Sequence, residues 1–241
     1  MKLTQLYILL FSIIILAGCQ KKEIHIPATD IVGIQEVPNF SEVWMFMKIN
    51  EKDTILQLND KNLIGSTNWI FNIDKHLKLE KVMPKIQYFQ EKRLKKSMHN
   101  TDGFSNYLSY SDTISKILSF VDISHIQFHF DTIQSKKIIL KNLDYYKNYN
   151  NFHLSFGLNT YYLNENKIDK VEFFDTLMEF INFTENGQKT LLHLNFNQNL
   201  TYQEYLNIKT HLLLLQKEQF IIDKNEYIFD ADKIPECGCD S

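Results

Sequence analysis

Apolar and polar residues follow two rhythms along this chain. Val43 to Ile49 (VWMFMKI), Thr54 to Leu58 (TILQL) and Trp69 to Ile73 (WIFNI) are short apolar-rich runs between polar breaks. They predict three strands, the first two a hairpin turned through Asn50 to Asp53. Leu79, Val82, Met83, Ile86 and Phe89 recur at spacings of three and four and predict a helix over 79–94 that Pro84 delays or kinks. His99 to Tyr110 is polar and reads as a loop; Ile114, Ile117, Leu118 and Val121 predict a short helix over 112–121. His125 to Phe130 alternates and predicts a strand, as does the run from Lys136 to Lys141; Asp144 to Asn151 reads as a loop. Phe152 to Leu158 and Thr160 to Leu163 predict a second hairpin. Val171, Phe174, Leu177, Met178 and Ile181 predict the inner face of a helix capped by Asp169, with Glu172 at the capping-box offset.

The most informative stretch is Thr190 to Phe220. Leu191, Leu192, Leu194 and Phe196 predict a buried strand, and Asn197 to Asn199 a tight turn. Thr201 then starts a helix with Glu204 three residues on, so that each side chain satisfies a backbone N–H left free at the helix start. Tyr202, Tyr205, Leu206, Leu212 and Leu213 form its apolar face, crossed by the stem of Lys209. A closing strand follows at Tyr227 to Phe229. The elements together predict an α+β fold.

The N-terminus changes the picture. Lys2 precedes an apolar run from Leu6 to Leu16, too short for a membrane span of about 20 residues but suited to a secretory leader. It ends in Leu16-Ala17-Gly18-Cys19, which resembles the bacterial lipobox. That resemblance implies lipidation of Cys19 as the new N-terminus and a protein anchored in the cell envelope, since several acyl chains hold a protein stably on a bilayer. Gln20 after the cysteine leans towards the outer membrane rather than the inner. The expected organisation is a signal peptide over 1–18, a tether over 19–40, a first α+β unit over 41–131, a second over 132–232, and a tail over 233–241.

Formal net charge is −3, one unit more negative once Lys2 is removed, with no basic tract to meet nucleic acid. Gly 7 and Pro 4 with 44% hydrophobic residues describe a globular chain. Candidate chemistry is sparse. Cys237-Gly238-Cys239 is a candidate disulfide or thiol pair, although a bridge across one residue is strained and easily reduced. His125 and His129 face the same way on their strand but stand about 13 Å apart at 3.2–3.4 Å per residue, so they share no ion. His25, His76, His99, His153, His193 and His211 show no ligand spacing, and no phosphate loop or nucleophile motif occurs. The expectation is no metal, no cofactor and no enzymatic activity.

Ile73 to Val82 lines up with Phe196 to Tyr205, and Leu58-Asn59-Asp60-Lys61 with Leu163-Asn164-Glu165-Asn166. The two spacings differ by about the length of the helix after Asp169, as if a unit had been duplicated and its first copy lacked that helix. The run from Ile138 through FHLSFGLNTYYLNENKI, VEFFDTLMEFI and KTLLHLNFNQNLTYQEYLNIKTHLLLLQKE to EYIF resembles the periplasmic domain of the ExbD/TolR family of biopolymer-transport proteins over residues 136–230, with an echo at 43–130. Asn197 stands where that family often has Asp, and Tyr202 matches its Tyr. The resemblance implies an interaction fold that pairs with envelope proteins or with its own copies. The family's proton-conducting transmembrane aspartate has no counterpart in this leader. The lead expectation is a non-enzymatic, lipid-anchored interaction component; the alternative is a ligand- or metal-binding surface lipoprotein using a cleft between the units and the cysteine pair.

Overall fold

A computed structural model describes residues 23–50, 53–95, 103–131, 135–184, 187–216 and 220–233. Cys19, His99, Cys237 and Cys239, and with them the lipobox and the thiol pair, lie outside the described residues. Among those described, twelve strands make two six-stranded sheets, accompanied by five α-helices. The fold is α+β.

The first sheet contains β1 (Ala28–Thr29), β2 (Phe40–Asn50), β3 (Asp53–Asn59), β4 (Asn68–Ile73), β5 (Asn106–Asp112) and β6 (Ile117–Asp122). β2, β4 and β5 run parallel; β3 and β6 close the two sides antiparallel, and β1 extends the β4 side of β5. The second contains β7 (Gln127–Asp131), β8 (Asn150–Phe156), β9 (Tyr161–Leu163), β10 (Asn166–Ile168), β11 (Thr190–Asn197) and β12 (Phe220–Phe229), in the order β10-β9-β8-β11-β12-β7. Strands β8, β11, β12 and β7 are parallel. The path β3-β2-β4-β5 in one sheet and the path β9-β8-β11-β12 in the other have the same order and the same strand directions.

Helices α1 (Leu79–Lys95) and α5 (Tyr202–Leu215) follow β4 and β11. The apolar faces read from the sequence are the buried ones: Val82, Met83, Ile86 and Phe89 on α1, and Tyr202, Tyr205, Leu206 and Leu212 on α5. One apolar core runs from Val43, Trp69 and Phe71 of the first sheet through both helices to Leu192, Leu194 and Phe196 of the second. The two turns that launch these helices grip each other. Leu79 N donates to Leu200 O at 3.0 Å and Tyr202 N to Leu77 O at 2.7 Å, which makes an antiparallel bridge between Lys78 and Thr201. Glu80 N donates to Gln198 O. N–H groups that a helix start leaves without a partner are thus satisfied across the joint. Thr201 and Glu204 form the expected capping box.

Several local expectations are corrected. The strand expected at Lys136–Lys141 is helix α2 (Ser135–Lys141), followed by the short α3 (Leu143–Tyr146) where a loop was expected. The helix expected over 112–121 is the turn and strand of a β5–β6 hairpin, and the loop over 99–110 contains most of β5. The helix spacing of Ile114, Ile117 and Leu118 was accidental: all three are exposed, while Phe120 and Val121 pack inward. Helix α4 (Phe173–Phe183) begins after Glu172 without a side-chain cap. Asp169 accepts from Val171 N in the preceding turn, leaving Val171 exposed and Phe173 buried. Leu213 is also exposed. β7, expected in the first unit, is an edge of the second sheet. Residues 25–37, expected as tether, dock on the fold: β1 pairs with β5, Ile34 bridges to Phe120, and Val37 is buried.

Candidate metal centre

The turn between β4 and α1 is an Asx turn. The chain leaves the strand at Ile73, and Asp74 Oδ1 accepts from His76 N at 3.0 Å, which holds the turn closed. The N-terminal segment passes beside it. His25 N donates to Asp74 Oδ2 at 3.1 Å, and Lys75 N donates to His25 O at 2.8 Å. Two rings therefore flank one carboxylate. His76 Nδ1 stands 3.0 Å from Oδ1 and His25 Nδ1 3.5 Å from Oδ2. The rings meet edge to face with centroids 5.6 Å apart.

One ligand atom from each of His25, Asp74 and His76 lies within 4.8 Å of the other two. Around an ion with bonds of about 2.1 Å, neighbouring donors stand about 3.0 Å apart at right angles and about 3.4 Å apart at tetrahedral angles. The His76 Nδ1 to Oδ1 contact is itself a hydrogen bond, and the His25 Nδ1 to Oδ2 contact reaches the other oxygen of Asp74. Drawing one atom from each residue onto an ion takes side-chain adjustment from separations of up to 4.8 Å. Two imidazoles and one carboxylate suit Zn²⁺ and neighbouring first-row ions better than Ca²⁺ or Mg²⁺, which prefer oxygen throughout. Asp74 is 2% exposed while both rings are about half exposed, so an ion here would be anchored from below and open to solvent above. Burial opposes the charge on Asp74, but the His76 and His25 backbone N–H groups and the His76 ring outweigh it and hold the carboxyl below its usual range. It is ready as an anionic ligand at neutral pH.

The matching turn after β11 shows what is particular to this one. Asn197 Oδ1 accepts from Asn199 N at 2.8 Å, the same Asx turn, but Asn stands at both ligand positions. Spacing along the chain points to no ligand role for His25 or His76. Asp74-Lys75-His76 at a strand end was a visible signal for two of them; the third ligand comes from 49 residues upstream and is placed by the docked segment.

A second polar cluster occupies the face of the second sheet covered by α2 and α3. His193 Nδ1 meets Asp223 Oδ2 and Nε2 meets Asn151 Oδ1, each at 2.9 Å. The Asn151 amide donates to the Tyr146 and Tyr149 carbonyls, so its oxygen is the atom turned to His193. Next to it, Ser135 Oγ and His153 Nδ1 are 2.7 Å apart, and Asn195 donates to Ser135 Oγ at 3.0 Å. Burial, then the His193 and Lys136 charges, push His153 down to about 4. Ser135 is 1% exposed and its hydroxyl is partnered by Asn195 and His153, so the cluster packs as a satisfied polar layer under the helices. His125 and His129 both line a cleft described below, and His211 stacks on Phe174.

Comparison with known proteins returns no match: no family model, no curated protein and no solved structure is significantly similar to this chain.

Proposed function

We propose that this chain is a lipid-anchored envelope protein that binds a divalent first-row transition metal through His25, Asp74 and His76. The convergence of these three ligand atoms within 4.8 Å carries the reading. Anchoring rests on the leader and Cys19 in the sequence alone. With Cys19 lipidated, six residues separate the membrane from His25, a reach of at most about 20 Å. The metal would sit close to the bilayer and would clip the N-terminal segment to the β4–α1 turn.

The test is isothermal titration of the EDTA-stripped protein with Zn²⁺, Ni²⁺ and Ca²⁺ at pH 7.5, with metal content checked by mass spectrometry. One equivalent of Zn²⁺ or Ni²⁺ is expected to bind, and Ca²⁺ to leave the protein unchanged. Asp74→Asn and His25→Ala should each weaken binding by roughly ten- to a hundredfold. Equal affinity in wild type and His25→Ala would remove the site, and the reading with it.

A second reading keeps the expectation of an interaction component related to ExbD/TolR-type systems. It is favoured by the flanks of α4, where Val171 is 88% and Phe183 91% exposed. The shared strand order of the two sheets and the bridge between Lys78 and Thr201, positions that line up in the two related turns, support a duplicated unit as its scaffold. Sedimentation of wild type and Phe183→Asp tests it: self-association lost in the variant supports this reading, and a monomer in both removes the homo-oligomer.

A further inference from the structure

Three basic side chains are buried among the described residues, and two of them face an acid. Lys209 meets Glu226, and His193 meets Asp223. Arg93 is the exception. It lies near the C-terminal end of α1, 7% exposed, and its partners are neutral. Nε donates to Asn106 Oδ1 at 3.3 Å, Nη1 and Nη2 each donate to the Thr67 carbonyl at 3.2 Å, and the guanidinium stacks over the Trp69 ring at 3.8 Å. These bonds use three of five N–H donors, and among the described residues no acid pairs with the positive charge. Burial alone pushes Arg93 down to about 10, with no acid opposing it.

Arg93 forms part of the wall of a cleft of about 810 Å³. Lys224 from β12 enters the same cleft, as do His125 and His129 from the β7 region and the amides of Gln87 and Gln127. Glu91 also lines it but pairs with neither Arg93 nor Lys224. A cation withdrawn from water is expensive unless an anion answers it, and a cleft is where that anion can come and go. We propose that this cleft binds a small oxyanion, a carboxylate or phosphate compound, with Arg93 and Lys224 as its counter-charges. The amides and histidines supply hydrogen bonds for the rest of the molecule, and the volume suits an organic anion rather than a bare inorganic one. The site is independent of the metal centre, which lies at the other end of α1, about 25 Å away along a 17-residue helix.

The test is titration calorimetry of the full-length, EDTA-stripped protein at constant ionic strength, with succinate and inorganic phosphate as probes. Removing metal separates this site from the other, and neither probe competes with EDTA for metal. Saturable binding of one probe with a Kd below about 1 mM is expected, the better probe naming the ligand class. Lys224→Gln, at an exposed position, should weaken it about five- to tenfold, and Arg93→Gln should abolish it. Circular dichroism checks that Arg93→Gln folds; if it does not, Lys224→Gln combined with His125→Gln replaces it as the decisive variant. No saturable binding of either probe, or binding unchanged in the folded variants, overturns the proposal.

Discussion

The pair of Lys209 on α5 and Glu226 on β12 provides a quantitative test of how this core is held. Glu226 is 0% exposed and Lys209 4%. The Lys209 ammonium donates to Glu226 Oε1, and Tyr205 OH donates to Oε2 at 2.8 Å. Burial and the Glu226 charge raise Tyr205 well above its ordinary range, so its proton stays to make that bond. Glu226→Leu strands a buried ammonium, which costs about 3–5 kcal/mol. It also strands a buried hydroxyl, at about 1–3 kcal/mol by itself, but the losses overlap because they share one partner. The expected total is about 4–5 kcal/mol, about a quarter or more of a stability of typically 5–15 kcal/mol. Lys209→Met strands the carboxylate and should lose about 3 kcal/mol, because Tyr205 still donates to it. Combining both changes with Tyr205→Phe removes every polar atom of the group. That triple variant should come within about 2 kcal/mol of wild type, since apolar replacements of buried ion pairs are often near neutral. Urea unfolding followed by circular dichroism, extrapolated to water, measures all four proteins. Single losses below about 1 kcal/mol, or a triple variant that loses the sum of the singles, would refute the view that these groups form a closed, mutually dependent unit.

Other consequences can be checked with the same equipment. His153 is held near pKa 4, below its ordinary 6.5, so the unfolded chain takes up this proton first as pH falls. The corresponding stability is complete above pH 6.5 and is lost between about 6.5 and 4, at most on the order of 2–3 kcal/mol for a partly covered ring. The slope of stability against pH in that window should be shallower in His153→Gln; an unchanged slope would mean that another group titrates there. A Cβ at Gly33 would lie 2.2 Å from Tyr110 Oη and 3.0 Å from Phe120 O. Gly33→Ala should therefore break the bond from Tyr110 OH to Ile31 O, loosen the N-terminal segment and cost about 1–3 kcal/mol. Adding Tyr110→Phe should restore part of the loss, and a thermal midpoint for Gly33→Ala equal to wild type would show that the segment does not pack there.

Sequence by itself determined what depends on neighbours along the chain. The α1 and α5 faces were legible because helical spacing puts Val82, Ile86 and Phe89, or Tyr202, Tyr205 and Leu206, on one side whatever they pack against. The Thr201–Glu204 box was legible because both of its bonds close within one turn. Elsewhere local signals competed and tertiary contacts chose. Lys136–Lys141 has strand-like residues, yet it is a helix whose Ser135 end is tied to Asn195, far along the chain. Ile114, Ile117 and Leu118 have helical spacing, but pairing of β6 with β5 sets their backbone and leaves them in water. The buried Lys209 read as a stem crossing an apolar face, because its partner Glu226 lies on a different element. The complete candidate metal centre and the Arg93 cleft exist only in the tertiary structure, although Asp74 and His76 are close in the sequence. A ligand set needs atoms within a few ångströms, and only docking of the N-terminal segment on the β4–α1 turn brings His25 to Asp74 and His76. That no acid among the described residues pairs with Arg93, likewise, is visible only once its partners Thr67 and Asn106 have been placed.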